Sequence, residues 1–126
     1  MTLSSSELQT VLYSVLSNAL PNTPIYDDVP ETADTPYVVI GEDHATNIGS
    51  KLEPIYETTV SIYVFSTYKG MKEAQELSAE IINAIRRIDT ENSDTFIRYL
   101  RLENTEHRKE GEDMRTAEIS AVFTVS

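Results

Sequence analysis

Residues 58–85, TTVSIYVFSTYKGMKEAQELSAEIINAI, contain a change of hydrophobic period that decides the fold class. Apolar and polar residues alternate as far as Ser66, with Val60, Ile62 and Val64 on one face, which predicts a half-buried strand over 55–66. Beyond Gly70 the apolar residues recur every three or four positions as far as residue 88, which predicts an amphipathic helix. The chain therefore combines a sheet that has one buried face with a helix that can cover it.

A second amphipathic helix is predicted near the N-terminus, over residues 5–20. Its apolar residues recur at helical spacing, and Pro21 ends it because a proline ring blocks the preceding turn. Ser4 and Glu7 have the spacing of an N-terminal capping box. The sequence thus supplies two helices, each with one apolar stripe.

Four more extended segments are predicted from β-branched and aromatic residues bounded by turn formers. They cover residues 24–26, 36–41, 96–102 and 114–125, while residues 44–54 and 104–113 are expected to be exposed polar loops that are poorly ordered in the free subunit. Strands that follow each other without a helix are expected to pair antiparallel. We therefore predict one α+β domain over residues 1–126, with a mainly antiparallel sheet of four to five strands and two helices packed on one face.

The composition excludes several classes of function. The chain has 21 acidic and 10 basic residues and a net charge of −11, which argues against a protein that grips phosphate backbones. It has no cysteine, so disulfides and thiolate nucleophiles are excluded. It has neither an apolar run long enough for a membrane span nor a signal-peptide pattern, so we expect a soluble intracellular protein without a membrane partner.

The charges are unevenly distributed along the chain. Eight acids and one base lie between Asp27 and Glu57, whereas most arginines lie in the last third. Opposite charge on two surfaces would suit head-to-tail association of identical subunits. The alternative is that both are ordinary solvated surfaces.

No residue pattern points to catalysis or to a metal. Asp27 and Asp28 are adjacent and would point to opposite sides of an extended chain, so they do not form a convergent carboxylate pair. His44 and His107 are far apart and fall in predicted loops, where surface histidine is the more common role. The glycines form no phosphate-binding loop, and the serines lack the nucleophile-elbow pattern. We therefore predict a protein that is not an enzyme and has no cofactor and no metal.

Aromatic and basic residues in the last third admit two interpretations. An aromatic and basic patch for single-stranded nucleic acid could be formed by Phe96, Arg98, Tyr99, Arg101 and Arg115. The acidic net charge instead favours a role at an edge strand or in a subunit contact. The seven tyrosines exceed what a small core needs, and tyrosine and arginine are enriched at protein interfaces.

Several of these segments, taken in order, resemble a known family. The matching features are Val29-Pro30, Ala33 with Pro36-Tyr37 ahead of the strand that ends at Gly41, and Phe65-Ser66 followed by Gly70 and Glu73. Together they make the whole chain similar to the tail completion proteins of long-tailed phages and prophages, which include tail-to-head joining proteins and share the fold of tail terminators.

The resemblance implies a structural virion protein at the head-to-tail interface. Its subunits would close into a ring, expected to be a hexamer, that ends the tail tube and meets the head completion or connector protein. The partners would be other copies of the chain, the tail tube protein and the connector, while DNA would only pass through the lumen. The protein would be in the host cytoplasm during assembly and in the virion afterwards. The alternative is a small acidic interaction module that acts as a regulator or inhibitor.

Candidate interface or channel residues follow from the charged and polar loops together with this resemblance. They are Asp27, Asp28, Glu31, Asp34, His44, Asn47, Lys51, Glu53, Arg98, Arg101, Arg108 and Lys109.

Overall fold

The computed structural model describes residues 5–92 and 94–126, which fold into two helices and six strands. The elements in chain order are α1 (Ser5–Ala19), β1 (Ile25–Tyr26), β2 (Tyr37–Asn47), β3 (Tyr56–Ser66), α2 (Lys72–Ile85), β4 (Asp89–Asn92), β5 (Thr95–Glu110) and β6 (Met114–Val125). The proposed capping residue Ser4 lies outside the described residues. The α+β prediction is confirmed, and the sheet has one more strand than the upper bound predicted.

All six strands form one sheet in the order β1-β2-β3-β6-β5-β4. Every neighbouring pair is antiparallel except β1 and β2, which are parallel through Ile25–Val38 and Tyr26–Val39. The prediction that all helix-free connections give antiparallel pairs is therefore wrong at β1. A parallel return is possible here because β1 has only two residues, so the loop over residues 27–36 is long enough to lead the chain back to the start of β2.

The core lies between one face of the sheet and the two helices. The central strands β3 and β6 alternate as predicted: Val60, Ile62 and Val64 are buried, and so are Ile119 and Phe123. The helices pack against each other, with α1 over β1 and β2 and α2 over β3, β6 and β5. The two helices thus cover one face of the sheet, and within residues 5–92 and 94–126 no helix covers the other face.

The predicted helix stripes form the other wall of this core. Leu8, Leu12 and Leu16 on α1 are 1% exposed or less, as are Ile81 and Ile85 on α2. Their burial confirms the phase of both helices.

Two segments predicted to be loops are strands. Residues 44–47 continue β2, and residues 104–110 continue β5 opposite the whole length of β6. Both segments are polar because each lies at a sheet edge, where a strand can be solvated on its side chains and on one side of its backbone. Residues 89–92 form β4, which is polar for the same reason because it is the last strand of the sheet.

The two long hairpins turn at opposite ends of the sheet. The β2–β3 hairpin turns over residues 48–55, beside the C-terminal end of β6, because Tyr56 pairs with Val125. The β5–β6 hairpin turns over residues 111–113, near Arg115, which pairs with Ser66 at the far end of β3. Gly111 has φ +69° in this second turn, a left-handed conformation that favours glycine.

Candidate interaction surfaces

Two segments of the sheet edge have no neighbouring strand in the described part of the chain. The strand β1 covers β2 only at Val38 and Val39, which leaves residues 40–47 open. On the other side, β4 covers only residues 95–98 of β5, which leaves residues 100–110 open. Open edges carry unpaired backbone donors and acceptors, which are suited to pairing with another chain.

One side of the sheet is uniformly acidic. Residues 27–47 contain six acids and no lysine or arginine. Asp27, Asp28, Glu31 and Asp34 form what we call the acidic loop, and all four are exposed between β1 and β2. Together with Glu42 and Asp43 on β2 they make up the acidic edge.

The opposite side carries both signs of charge. Residues 98–110, which we call the mixed edge, contain four basic and three acidic residues. Arg101 donates hydrogen bonds to Glu57 at 2.8 Å and to Glu103 at 3.1 Å. These bonds, chiefly the one to Glu57, raise the pKa of Arg101 above its ordinary value.

Arg108 is held in a similar way, although it was expected in a loop. Its guanidinium lies within 3.5 Å of Glu106, Glu110 and Glu118. The hydrogen bond to Glu106 is the largest cause of a raised pKa for Arg108. The arginines of β5 are therefore largely compensated within the chain, and the predicted separation into an acidic and a basic surface is instead a separation into an acidic and a mixed surface.

The other predicted basic residues of β5 are less strongly held. Arg98 lies 3.8 Å from Asp89 and 5.5 Å from the centre of the Phe96 ring. Lys109 is an exposed strand residue opposite Arg115.

His107 lies on β5 rather than in a loop and comes within 3.2 Å of the Ser78 hydroxyl on α2, so it joins the helix to the sheet. His44 is an exposed residue of β2.

An aromatic row occupies the helix-free face next to the acidic edge. Tyr37 stacks on Phe65 at 5.2 Å, Tyr26 meets Tyr37 edge-on at 5.7 Å, and Tyr63 lies 6.4 Å from Phe65. All four rings are half-buried. Their row explains part of the tyrosine surplus, because these rings pack on one another across three strands rather than in the core.

The aromatic row contacts the acidic edge at a β-bulge in β2, where Tyr63 packs against the bulged residues. The hydroxyl of Tyr63 donates a 2.6 Å hydrogen bond to Glu42, and its ring crosses so close to Gly41 that a β-carbon there would be 2.6 Å away. The register of β2 against β3 shifts at this point, between Ile40 and Asp43. The hydrogen bond lowers the pKa of Glu42 and raises the pKa of Tyr63.

The β2–β3 turn is held by hydrogen bonds and exposes apolar side chains. Residues 48–55, which we call the hairpin tip, contain Ile48, Leu52 and Ile55, and Leu52 is 94% exposed. Asn47, one of the predicted interface residues, accepts hydrogen bonds on Oδ1 from the backbone amides of Gly49 at 2.9 Å and Ile55 at 3.3 Å. The predicted exposed loop is therefore confirmed over residues 48–54, and its backbone is held by these hydrogen bonds.

Backbone contacts complete this turn. Ser50 donates its amide to the Glu53 carbonyl at 3.2 Å, and its hydroxyl accepts from the Glu53 amide at 2.9 Å. A β-carbon at Gly49 would lie 2.4 Å from the Glu53 carbonyl oxygen, so glycine is required for the fold of the turn. The predicted residues Lys51 and Glu53 flank Leu52, and both are exposed.

A groove on the helical side escaped prediction from sequence. It has a volume of about 730 Å³ and lies between α1, the end of α2 and β4. Half-buried Val11, Val15 and Ala84 lie along it, while Arg87 and Glu91 are exposed at its rim. The sequence contained one sign of this groove. Val11 and Val15 widen the apolar stripe of α1 beyond the leucines that face the core, so part of the stripe is left outside the core.

The described residues contain no cluster of three or more histidine and acidic side chains arranged to hold a metal ion. In the same part of the chain, no helix is long and apolar enough to span a membrane. Open strand edges, an exposed apolar turn held by hydrogen bonds and a groove are features that protein interfaces commonly use.

Comparison with protein families agrees with such a role. Residues 8–125 match the family described as tail completion protein gp17. The chain belongs to this family. It is therefore a structural protein of a phage tail, a virion component and not an enzyme, and it works in contact with other tail or head proteins.

Solved structures share the fold of this tail completion protein. A protein from the virion of a native gene transfer agent (GTA) particle has 21% identity and a TM-score of 0.81, with 94% of this chain and 93% of that chain covered. A second solved protein has 17% identity and a TM-score of 0.73, with 99% and 97% covered. No curated protein matches the sequence.

Proposed function

We propose that the chain assembles head to tail into a closed ring at the head-proximal end of a phage tail, where it ends the tail tube and joins it to the head connector. The observation that carries this proposal is the pair of unlike open edges on one sheet. An interface between unlike surfaces is heterologous, and repeated heterologous contacts close into a ring when their rotation allows. Membership of the tail completion family supports the position in the tail.

Charge favours the acidic edge of one copy meeting the mixed edge of the next. The acidic edge has six acids and no lysine or arginine, whereas the mixed edge carries four basic side chains, of which Arg101 and Arg108 are paired with acids of the same chain. Two copies of the acidic edge would repel each other, so charge selects the head-to-tail arrangement over a two-fold one. Backbone hydrogen bonds between the open segments of β2 and β5 would extend the sheet from copy to copy.

The proposed ring has six subunits and contacts the tail tube protein on one side and the head completion or connector protein on the other. It would assemble in the host cytoplasm and remain in the virion. DNA would pass through its lumen, and the net charge of −11 per copy would keep the phosphate backbone from binding to the wall. Candidate lumen residues are those of the acidic loop that the contact with the next copy leaves uncovered.

The mass of the purified protein tests ring formation. Light scattering would measure it alone and with the tail tube protein, and electron microscopy would show the shape of any assembly. We expect rings in at least one of the two samples. A monomer in both would refute the proposal and favour the acidic interaction module.

Particles that lack the protein test its place in the tail. Electron micrographs should show tails of irregular length that carry no heads. Tails of normal length that are joined to heads would refute the assignment to the head-proximal end.

A further inference from the structure

We propose that the hairpin tip of one copy inserts Leu52 into the groove between α1, α2 and β4 of the next copy. This contact rests on the ring proposed above and names the pair of surfaces that would hold its subunits together. Three observations lead to it: the construction of the tip, the composition of the groove, and their relative positions on the sheet.

The tip has the properties of a preformed anchor. Single exposed leucines are common, but Leu52 projects from a turn fixed by two side-chain acceptors, Asn47 and Ser50, and by a glycine with no room for a β-carbon. A turn that is already held by its own hydrogen bonds loses less conformational entropy on binding than a turn without them. Ile48 and Ile55 are also exposed beside it, so the turn offers a small apolar surface rather than one side chain.

The groove matches this anchor in polarity. Its apolar wall is made by Val11, Val15 and Ala84, which are only half-buried in the free chain. Charges lie at its rim, with Arg87 at the end of α2 and Glu91 on β4. The tip carries the complementary pair next to its leucine, because Lys51 precedes Leu52 and Glu53 follows it.

The hairpin tip and the groove lie near the same position along the strand direction, which we call their level, and they lie toward opposite edges of the sheet. Tyr56, next to the tip, pairs with Val125, Val125 pairs with Ile97, and Ile97 pairs with Thr90, which lines the groove. Rotation about an axis parallel to the strands preserves this level. A ring built by such a rotation would keep the tip of each copy level with the groove of the next, which is the condition that this contact requires.

Crosslinking between introduced cysteines provides the test, since the natural chain has none. Leu52→Cys on the tip would be combined with Ser14→Cys in the groove, and assembled protein would be treated with a short bis-maleimide. We expect a ladder of covalent multimers that ends at the ring number. The matched control pairs Leu52→Cys with Tyr68→Cys, an exposed residue that follows β3 at the opposite end of the sheet, and should give no ladder.

The outcomes separate this contact from the ring itself. Rings without a ladder, or crosslinks from Leu52→Cys that reach only the tail tube protein, would overturn the contact and leave the ring intact. Failure of the natural protein to form rings would overturn the proposed function instead.

A second measurement applies if the cysteine variants do not assemble. Leu52→Ala should weaken ring assembly by about tenfold or more, whereas Leu52→Met should retain it, because methionine fills an apolar pocket nearly as well. Leu52 is 94% exposed in the free chain, so both variants should have the same melting temperature as the natural protein. Undiminished assembly of Leu52→Ala would overturn the proposed contact.

Discussion

Replacing Ile81 by alanine is expected to destabilise the subunit strongly, because Ile81 is fully buried where α2 packs on the sheet. The change removes three carbon atoms, and a loss of about 0.8 kcal/mol for each gives roughly 2.4 kcal/mol of transfer free energy. The cavity left behind adds to this, so the total should fall within about 2–5 kcal/mol. Unfolding entropy of about 2.1 cal/mol/K per residue then converts a loss of 3 kcal/mol into a fall in Tm of about 11 °C.

Urea melts followed by circular dichroism would measure the free energy of unfolding. Ile85→Ala, at an equally buried position one turn later, should behave alike. The matched control is Glu80→Ala, since Glu80 is exposed on the same helix and its loss should cost less than about 0.5 kcal/mol. Equal losses for Ile81→Ala and Glu80→Ala would refute the orientation of α2 on the sheet.

Three further predictions concern the surfaces. Neutralising the whole acidic loop with asparagine and glutamine should leave Tm within about 3 °C of the natural protein but impair ring assembly and complementation of a phage lacking the protein; full complementation would mean that the loop is only solvated. Asn47→Ala should cost about 1 kcal/mol and speed amide exchange at Gly49 and Ile55, whereas its exposed neighbour Thr46→Ala should not. The hydrogen bond from the Tyr63 hydroxyl lowers the pKa of Glu42 in the folded chain. This bond therefore stabilises the fold at pH values above the pKa of Glu42 in the unfolded chain, and the stabilisation is lost as the pH falls through the pKa of Glu42 in the folded chain. Tyr63→Phe should therefore lower Tm at pH 6 and make little difference near pH 2; a Tm difference independent of pH would contradict this linkage.

Elements with a buried face could be predicted from the sequence. The alternation in β3 and β6 and the helical period of α2 each report directly which side faces the core, since only burial forces apolar residues into a strict period. These elements proved correct because tertiary packing and local pattern agree. The family resemblance, carried by segments such as Pro36-Tyr37 before β2, is confirmed by the match over residues 8–125.

Edge structure could not be predicted in the same way. Residues 104–110 contain no apolar side chain, yet they form a strand because β6 supplies a full row of backbone partners. Likewise, nothing local reveals that Arg101 would meet Glu57, which lies 44 positions earlier in the chain. Pairing of distant strands determines both outcomes.

The positions of the candidate interaction surfaces could be predicted only in part from the sequence. The exposure of the acidic loop and the position of Lys51 beside an apolar residue were visible in the sequence. The groove was not, because it is formed by three elements that are separated by up to about eighty positions and meet only in the folded chain.

The two hairpins have a consequence for how neighbouring proteins can be recognised. Their turns are separated by the length of β3, whose 11 residues span roughly 35 Å. A changed side chain in one turn therefore makes no contact with the other turn. The surfaces at the two ends can change independently while the sheet between them stays the same. In the proposed ring, such a subunit would have an inherent direction, and one end could change to fit a new neighbour while the other end keeps its existing contact.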